Sequence, residues 1–151
     1  MKNKILIGVF VFITGISSAF ANDKEEVNAR IAKSFQKEFA GAQQVQWVTT
    51  KEFVKATFTL NEQVVYAYYS SDGNLLGVTR NIVSGQLPIN LLTGLKKNYD
   101  NYWITDLFEM ATNNENTYYI TLENSDHKLV LKSNGTNGWE VFKKERKQSV
   151  L

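Results

Sequence analysis

Cysteine is absent, histidine and proline occur once each (His127 and Pro88), and the charges nearly cancel, 17 Lys+Arg against 15 Asp+Glu. The missing cysteine excludes disulfide staples, thiolate metal ligands, a thiol nucleophile and a lipidated N-terminal cysteine. A single histidine excludes every site that needs two imidazoles. Lys2 and Lys4 lie in an N-terminal segment that holds no acid and reads as removable; without them basic and acidic residues are equal in number. The slight basic excess of the full chain therefore carries no indication of a nucleic-acid partner.

That segment, 1–21, has the build of a secretory signal. Lys2 and Lys4 precede an almost unbroken apolar run from Ile5 to Ile16, and Ser17-Ser18-Ala19-Phe20-Ala21 supplies small residues at peptidase spacing, with cleavage expected after Ala21. The run is too short to anchor the chain, since a spanning helix needs roughly 20 apolar residues to cross ~30 Å of hydrocarbon. Export without cysteine fits a bacterial periplasm or cell exterior. A mature chain of about 130 residues can bury enough apolar surface without disulfides.

The hydrophobic period changes along the mature chain. Asp23-Lys24-Glu25-Glu26 reads as a helix start, and Val27, Ile31, Phe35 and Phe39 recur at spacing four until Ala40-Gly41 ends the helix. The period then becomes two. Val45, Trp47 and Thr49 alternate with polar neighbours; 53–60 and 63–69 are strands about a short Asn61-Glu62 turn; Ser71-Asp72-Gly73 turns into a fourth strand, 75–82. Leu87-Pro88 opens a second helix, with Ile89, Leu92, Leu95 and Tyr99 as its expected stripe and Leu91 beside it. Strands are expected at 102–110, 118–123, 128–132 and 139–143. Asn134-Gly135 falls 62 residues after Asp72-Gly73. The expectation is an α+β fold, a helix plus four antiparallel strands given twice, over about 23–83 and 87–145, in one compact unit spanning 22–151.

Turn arithmetic assigns the faces. A two-residue turn at Asn61-Glu62 puts Val54, Ala56 and Phe58 opposite Tyr69, Ala67 and Val65 beneath a helix, the alanines leaving room for it. Lys55, Thr57 and Thr59 then face Tyr68, Tyr66 and Val64 on the other side. A turn at Ser125-Asp126 likewise places Ile120 with Leu131 and Leu122 with Leu129 in the core, and Tyr119 with Lys132, Thr121 with Val130 and Glu123 with Lys128 on the open side. An antiparallel sheet can leave one face to water, and a one-residue slip would invert every assignment.

Catalysis is poorly provided for. A nucleophile relay could use only His127, beside Asp126 in a turn, without burial or a positioned nucleophile. No local pattern sets two carboxylates on one wall. Asp72-Gly73-Asn74 lacks the remaining ligands of a calcium loop, and no phosphate-cradling glycine loop is present. The basic run Lys143-Lys144-Glu145-Arg146-Lys147 is short and contains an acid, which fits a solvated end better than nucleic-acid or membrane-surface binding. What remains is the open face. Tyr66, Tyr68 and Tyr119 with Lys55, Lys132 and Thr57 have the composition of a protein-binding surface. Such cross-strand pairs also stabilise ordinary sheets by roughly 0.2–1 kcal/mol each.

Phe35-Gln36-Lys37-Glu38-Phe39-Ala40-Gly41-Ala42, followed by Val45-Gln46-Trp47, resembles the opening of small exported Bacteroidetes-type proteins called PepSY-like or beta-lactamase-inhibitor-like. The Asp72-Gly73 turn, the strand end at Ile82, the Leu87-Pro88 helix opening and the step from Tyr99 to Tyr102 into Trp103-Ile104 follow in the family's order, over about 24–145. The resemblance implies tandem helix-plus-four-strand units whose sheets make a concave surface, which in the inhibitor grips an enzyme through aromatic side chains. The inhibitor is disulfide-bonded and this chain has no cysteine, and none of its contact residues can be matched here, so a fold name carries over and the activity does not.

The expected function is an exported, non-enzymatic binding module with no cofactor and no metal. Its expected site is Lys55, Thr57, Tyr66, Tyr68, Tyr119 and Lys132, and its expected partner a periplasmic or extracellular protein or peptide. Nucleic acid and stable membrane insertion after signal cleavage are not expected. The alternatives are a carrier enclosing a small apolar ligand, with a cystatin-like or nuclear-transport-factor-like unit as the corresponding fold, and an envelope structural or stress protein. Tyr66 and Tyr68 would line a closed cavity in the carrier.

Overall fold

Asn28 caps the first helix: its side-chain oxygen accepts the Arg30 backbone N–H at 2.9 Å, and α1 (Ala29–Glu38) follows. The computed structural model describes residues 27–113 and 115–148, so the expected signal and the Asp23 cap lie outside it. Eight strands follow: β1 (Gln43–Thr49), β2 (Val54–Leu60), β3 (Gln63–Tyr69), β4 (Leu75–Asn81), β5 (Trp103–Thr112), β6 (Glu115–Glu123), β7 (His127–Ser133) and β8 (Glu140–Arg146). The helix α2 (Ile89–Asn98) lies between β4 and β5 in the chain.

The strands stand in space in chain order, each antiparallel to the next, and form one sheet. The element order is thus helix, four strands, helix, four strands, but the strands do not divide into two sheets. β4 joins β5 through the pairs Val78 to Ala111 and Asn81 to Phe108. Three expected strands have different ends for a visible reason. β5 and β6 run further into their shared hairpin, to Thr112 and from Glu115. β8 begins after Trp139, whose indole N–H donates to the Leu91 carbonyl at 2.9 Å and so docks onto α2.

Two local turns set the faces. Asn61 and Glu62 both have positive φ, 50° and 65°, the handedness a two-residue hairpin needs. The resulting pairs are Phe58 with Val65, Ala56 with Ala67 and Val54 with Tyr69 on one face. In the β6–β7 hairpin Ile120 meets Leu131 and Leu122 meets Leu129. Gly73, at φ +86°, carries the other indispensable turn. A Cβ there would lie 2.8 Å from Arg30 Cγ, because α1 packs over it.

Both helices cover the same face. Ile31 and Phe35 of α1 bury against Val54, Ala56, Phe58, Val65, Ala67 and Tyr69. Leu91 and Leu95 of α2 bury against Leu107, Ile120, Leu122, Leu129 and Leu131. The stripe expected on α2 holds at Leu92, Leu95 and Tyr99, which all join the core, but fails at Ile89, which is 76% exposed; the buried row is Leu87, Leu91 and Leu95. Spacing four from the buried Leu87 keeps one face of the helix inward, and Ile89 falls off that face. The two clusters are separate. On the seam between them Arg80 pairs with Glu109 at 2.8 Å and donates to the Gln63 side-chain oxygen at 3.1 Å.

Candidate functional site: the open face of the sheet

With both helices on one side, alternation sends the remaining side chains to the other. Lys55 pairs with Tyr68, Thr57 with Tyr66 and Thr59 with Val64; Tyr119 pairs with Lys132, Thr121 with Val130 and Glu123 with Lys128. This face is hollowed into a groove of about 680 Å³. Lys55, Tyr66, Tyr68 and Tyr119 line it; Thr57 and Lys132 do not, although their strands place them on the same face.

The tyrosines differ in depth. Tyr66 is half-buried, with Lys55 Nζ 5.8 Å from its ring centroid. Tyr68 is only 6% exposed and Tyr119 7%. Tyr68 has the Phe53 ring edge-on at 5.4 Å and a hydrogen bond with the Thr79 side chain; burial pushes its phenol up, against the lowering effect of that bond. Tyr119 stacks on Phe108 (5.1 Å, 15°) and meets Phe142 edge-on (5.8 Å, 84°), and Lys132 Nζ lies 5.8 Å from its ring. Tyr68 and Tyr119 thus form the floor of this face, held by Phe53, Thr79, Phe108 and Phe142, and Tyr66 is its partly open tyrosine.

Charge concentrates where β5–β8 run past the first four strands. Glu123 forms ion pairs with Lys147 at 2.8 Å and with Lys128 at 3.7 Å, and Lys147 Nζ sits 5.1 Å from the Trp103 ring centroid. The Lys147 hydrogen bond holds the Glu123 carboxyl below its usual range. Lys143 pairs with Glu145. Asp106 contrasts with both. It lines the groove, burial raises its pKa, and the Leu107 N–H and nearby Lys128 only partly oppose this.

Sequence reasoning missed Thr79, Asp106, Phe108 and Phe142. Alternation along β4 and β5 would have placed the first three, but only after those strands were known to pair, and Phe142 follows from the pairing of β7 with β8. His127, the one candidate for acid–base work, opens β7 with its N–H bound by the Asn124 side chain at 2.8 Å. It does not line the groove. Among the described residues no three His, Asp or Glu side chains are grouped to hold a metal ion, and no helix is long and apolar enough to cross a membrane.

This two-helix, eight-strand antiparallel α+β fold is similar to that of solved Bacteroides proteins, one of them beta-lactamase-inhibitor-like (BLIP-like). A crystal structure of a BLIP-like protein from Bacteroides fragilis superposes with a TM-score of 0.68 at 15% identity, covering 82% of this chain and 91% of that one. A DUF2874 family protein from Bacteroides uniformis superposes at 0.70 with 10% identity, covering 80% and 89%. A protein from Bacteroides eggerthii described as a candidate periplasmic protein gives 0.69 at 10%, covering 80% and 88%. At these identities the superpositions show likeness of fold alone. No known family's sequence profile matches the chain, and no curated protein matches it.

Proposed function

We propose that the chain is an exported, non-enzymatic binding module of the PepSY-like type that holds a protein or peptide on its concave sheet face. In this reading residues 1–21 are a cleaved signal and 22–151 the mature module. The module consists of two helix-plus-four-strand repeats, about 23–83 and 87–145, fused through β4 and β5. The row Val27, Ile31, Phe35, Phe39 and the row Leu87, Leu91, Leu95, Tyr99 stand 60 residues apart, and each helix has its own core, which supports the repeat. A Bacteroides protein of similar fold described as a candidate periplasmic protein supports the location.

The observation that carries the reading is the groove itself. It is wide, it lies opposite both helices, and it joins an aromatic floor to lysines and carboxylates of both signs, the mixture that protein interfaces use. Lys55, Thr57, Tyr66, Tyr68, Tyr119 and Lys132 belong to the face that would bind, with Lys55 and Tyr66 as its accessible members. The carrier alternative loses its support because Tyr66 and Tyr68 lie on the open side, while Phe35, Phe58 and Tyr69 fill the space beneath α1.

The test is retention of envelope-extract proteins on the immobilised mature chain, beside a Lys55→Glu/Tyr66→Ala variant shown to melt like the parent. A partner held by the parent and lost by the variant is expected. A partner held equally by both would move the site elsewhere, and none under several growth conditions would remove the binding reading.

A further inference from the structure

β5 outruns the strand it pairs with. Its bonds to β4 end at the Asn81–Phe108 pair and one further contact, from the Ile82 N–H to the Leu107 carbonyl at 3.0 Å. Trp103, Ile104 and Asp106 pair with Glu123, Leu122 and Thr121 of β6 alone. The first half of the sheet stops at the same level: Gln63, the first residue of β3, reaches the Asn81 carbonyl with its side-chain amide at 3.1 Å. After Ile82 the chain leaves the sheet for a 3-10 turn at Ser84–Gln86, whose Gln86 and Leu87 N–H groups bond back to Val83 and Ser84. The sheet thus has a step. Along it the outward edge of Trp103–Asp106 meets no strand among the described residues, and Trp103 and Ile104 are 53% and 45% exposed.

An unpaired strand edge is a template for another chain, and proteins normally guard such edges with charge or irregular backbone. Both outer edges here are guarded. β8 carries Glu140, Lys143, Lys144, Glu145 and Arg146. β1 has a break in register between Gln43 and Gln46, with Gln44 at φ 54°. The step is uncharged over Trp103-Ile104-Thr105 and has no proline. Its one irregularity is the extra residue Thr105, whose hydroxyl has the Thr121 carbonyl at 3.4 Å and the Glu123 carboxylate at 3.3 Å as acceptors for its single proton.

We propose that this step is a docking edge on which an extended segment of the partner protein adds as a short strand beside β5, in line with β4. The inference deepens the binding-module reading and rests on it. The occupant is an extended polypeptide because the step offers main-chain donors and acceptors at strand spacing. It belongs to another protein because the position facing Asp106 asks for a cation, whereas the outer edges of a second copy are charged or bent and its own step would bring a second Asp106 instead. Thr105 and Asp106 line the groove as well as the step, so every second side chain of an added strand points onto the groove floor. The position facing Asp106 takes a basic side chain. Glu123 and Glu145 are ion-paired with lysines, whereas Asp106 has no ion pair at bonding distance among the described residues.

The probe is a displayed library of random dodecapeptides selected on the mature chain. Selected peptides are expected to slow amide exchange within 103–107 and to be enriched in Lys or Arg. N-methylation at alternate peptide residues should weaken them by about tenfold or more, as should Ile104→Lys in a chain shown to melt like the parent. Peptides that protect only the groove residues of β2 and β3 would overturn the docking edge while leaving the binding module standing. Failure to select any binder would overturn both. Self-association of the chain with protection at 103–107 would make the occupant a second copy and overturn the proposal as stated.

Discussion

The two halves of the core hold similar helices against one sheet with different materials. Under α1 the filling is aromatic: Phe35 lies 4.9 Å from Phe58 and 5.1 Å from Trp47, both edge-on, Phe39 lies 4.8 Å from Phe58, and Trp47 lies 6.4 Å from Tyr69. Under α2 it is aliphatic, leucine and isoleucine throughout its buried members. The sheet compensates. Where the helix brings rings it offers the small Ala56 and Ala67, both fully buried, and where the helix brings leucine it offers Ile120 and Leu131. One backbone plan therefore accepts either filling, provided the facing volumes sum to close packing.

The largest expected effect attacks the aromatic half. Phe58→Ala removes the ring against which both Phe35 and Phe39 pack, and should cost about 3–5 kcal/mol in urea unfolding. A cost near 1 kcal/mol would show that the rings collapse into the gap, and the contrast between the halves would lose its meaning. Ala67→Leu asks the complementary question. If alanine is there to admit the rings, the added volume should cost about 1–3 kcal/mol, and a neutral result would reveal unused space beneath α1.

Tyr69 sharpens the comparison with the opposite sign. It is fully buried in the aromatic half, and its hydroxyl finds no hydrogen-bond partner among the described residues. Burial raises its pKa, and the charge of Glu38 adds to this. A buried donor without a partner is a net loss, so Tyr69→Phe should raise stability by about 1 kcal/mol in the same assay. A loss instead would mean the hydroxyl does find an acceptor.

The smallest effects are on the open face, where two carboxylates carry opposite pH signs. The Glu123 carboxyl is depressed, chiefly by Lys147, so its contribution is present above the unfolded carboxylate range and is lost as pH falls through the folded value. For a partly exposed pair this is about 0.5 kcal/mol or less, and Lys147→Ala should flatten it. Asp106 is raised by burial, so it favours the folded state as it becomes protonated, and Asp106→Asn should remove that opposite slope. Melting curves between pH 3 and pH 7, on both variants, separate the two; equal slopes in parent and variants would remove the contrast.

Parity was legible because it is local. Asn61-Glu62 and the turn at Ser125-Asp126 fix which residues stand opposite one another, so the division into a helix-covered face and an open face followed from a few neighbouring residues. The inward row of α1 was equally plain from spacing four. On α2, where apolar residues stand both at Ile89 and at Leu91, spacing placed Leu92, Leu95 and Tyr99 on the core side but wrongly put Ile89 with them; the buried Leu87 favours Leu91.

What the sequence could not contain was the pairing of β4 with β5. No hairpin joins them, because α2 and its flanking turns intervene, so no turn arithmetic predicts the register. That one pairing decided much of the site. It closes the eight strands into a single sheet, brings Thr79, Asp106 and Phe108 to the groove, and leaves the step at Trp103–Asp106. The depths of Tyr68 and Tyr119 are decided in the same way, by Phe53, Phe108 and Phe142 arriving from elsewhere in the chain. Alternation tells a side chain which way to point; how much of it remains in water depends on residues distant in sequence, and only tertiary structure brings those together.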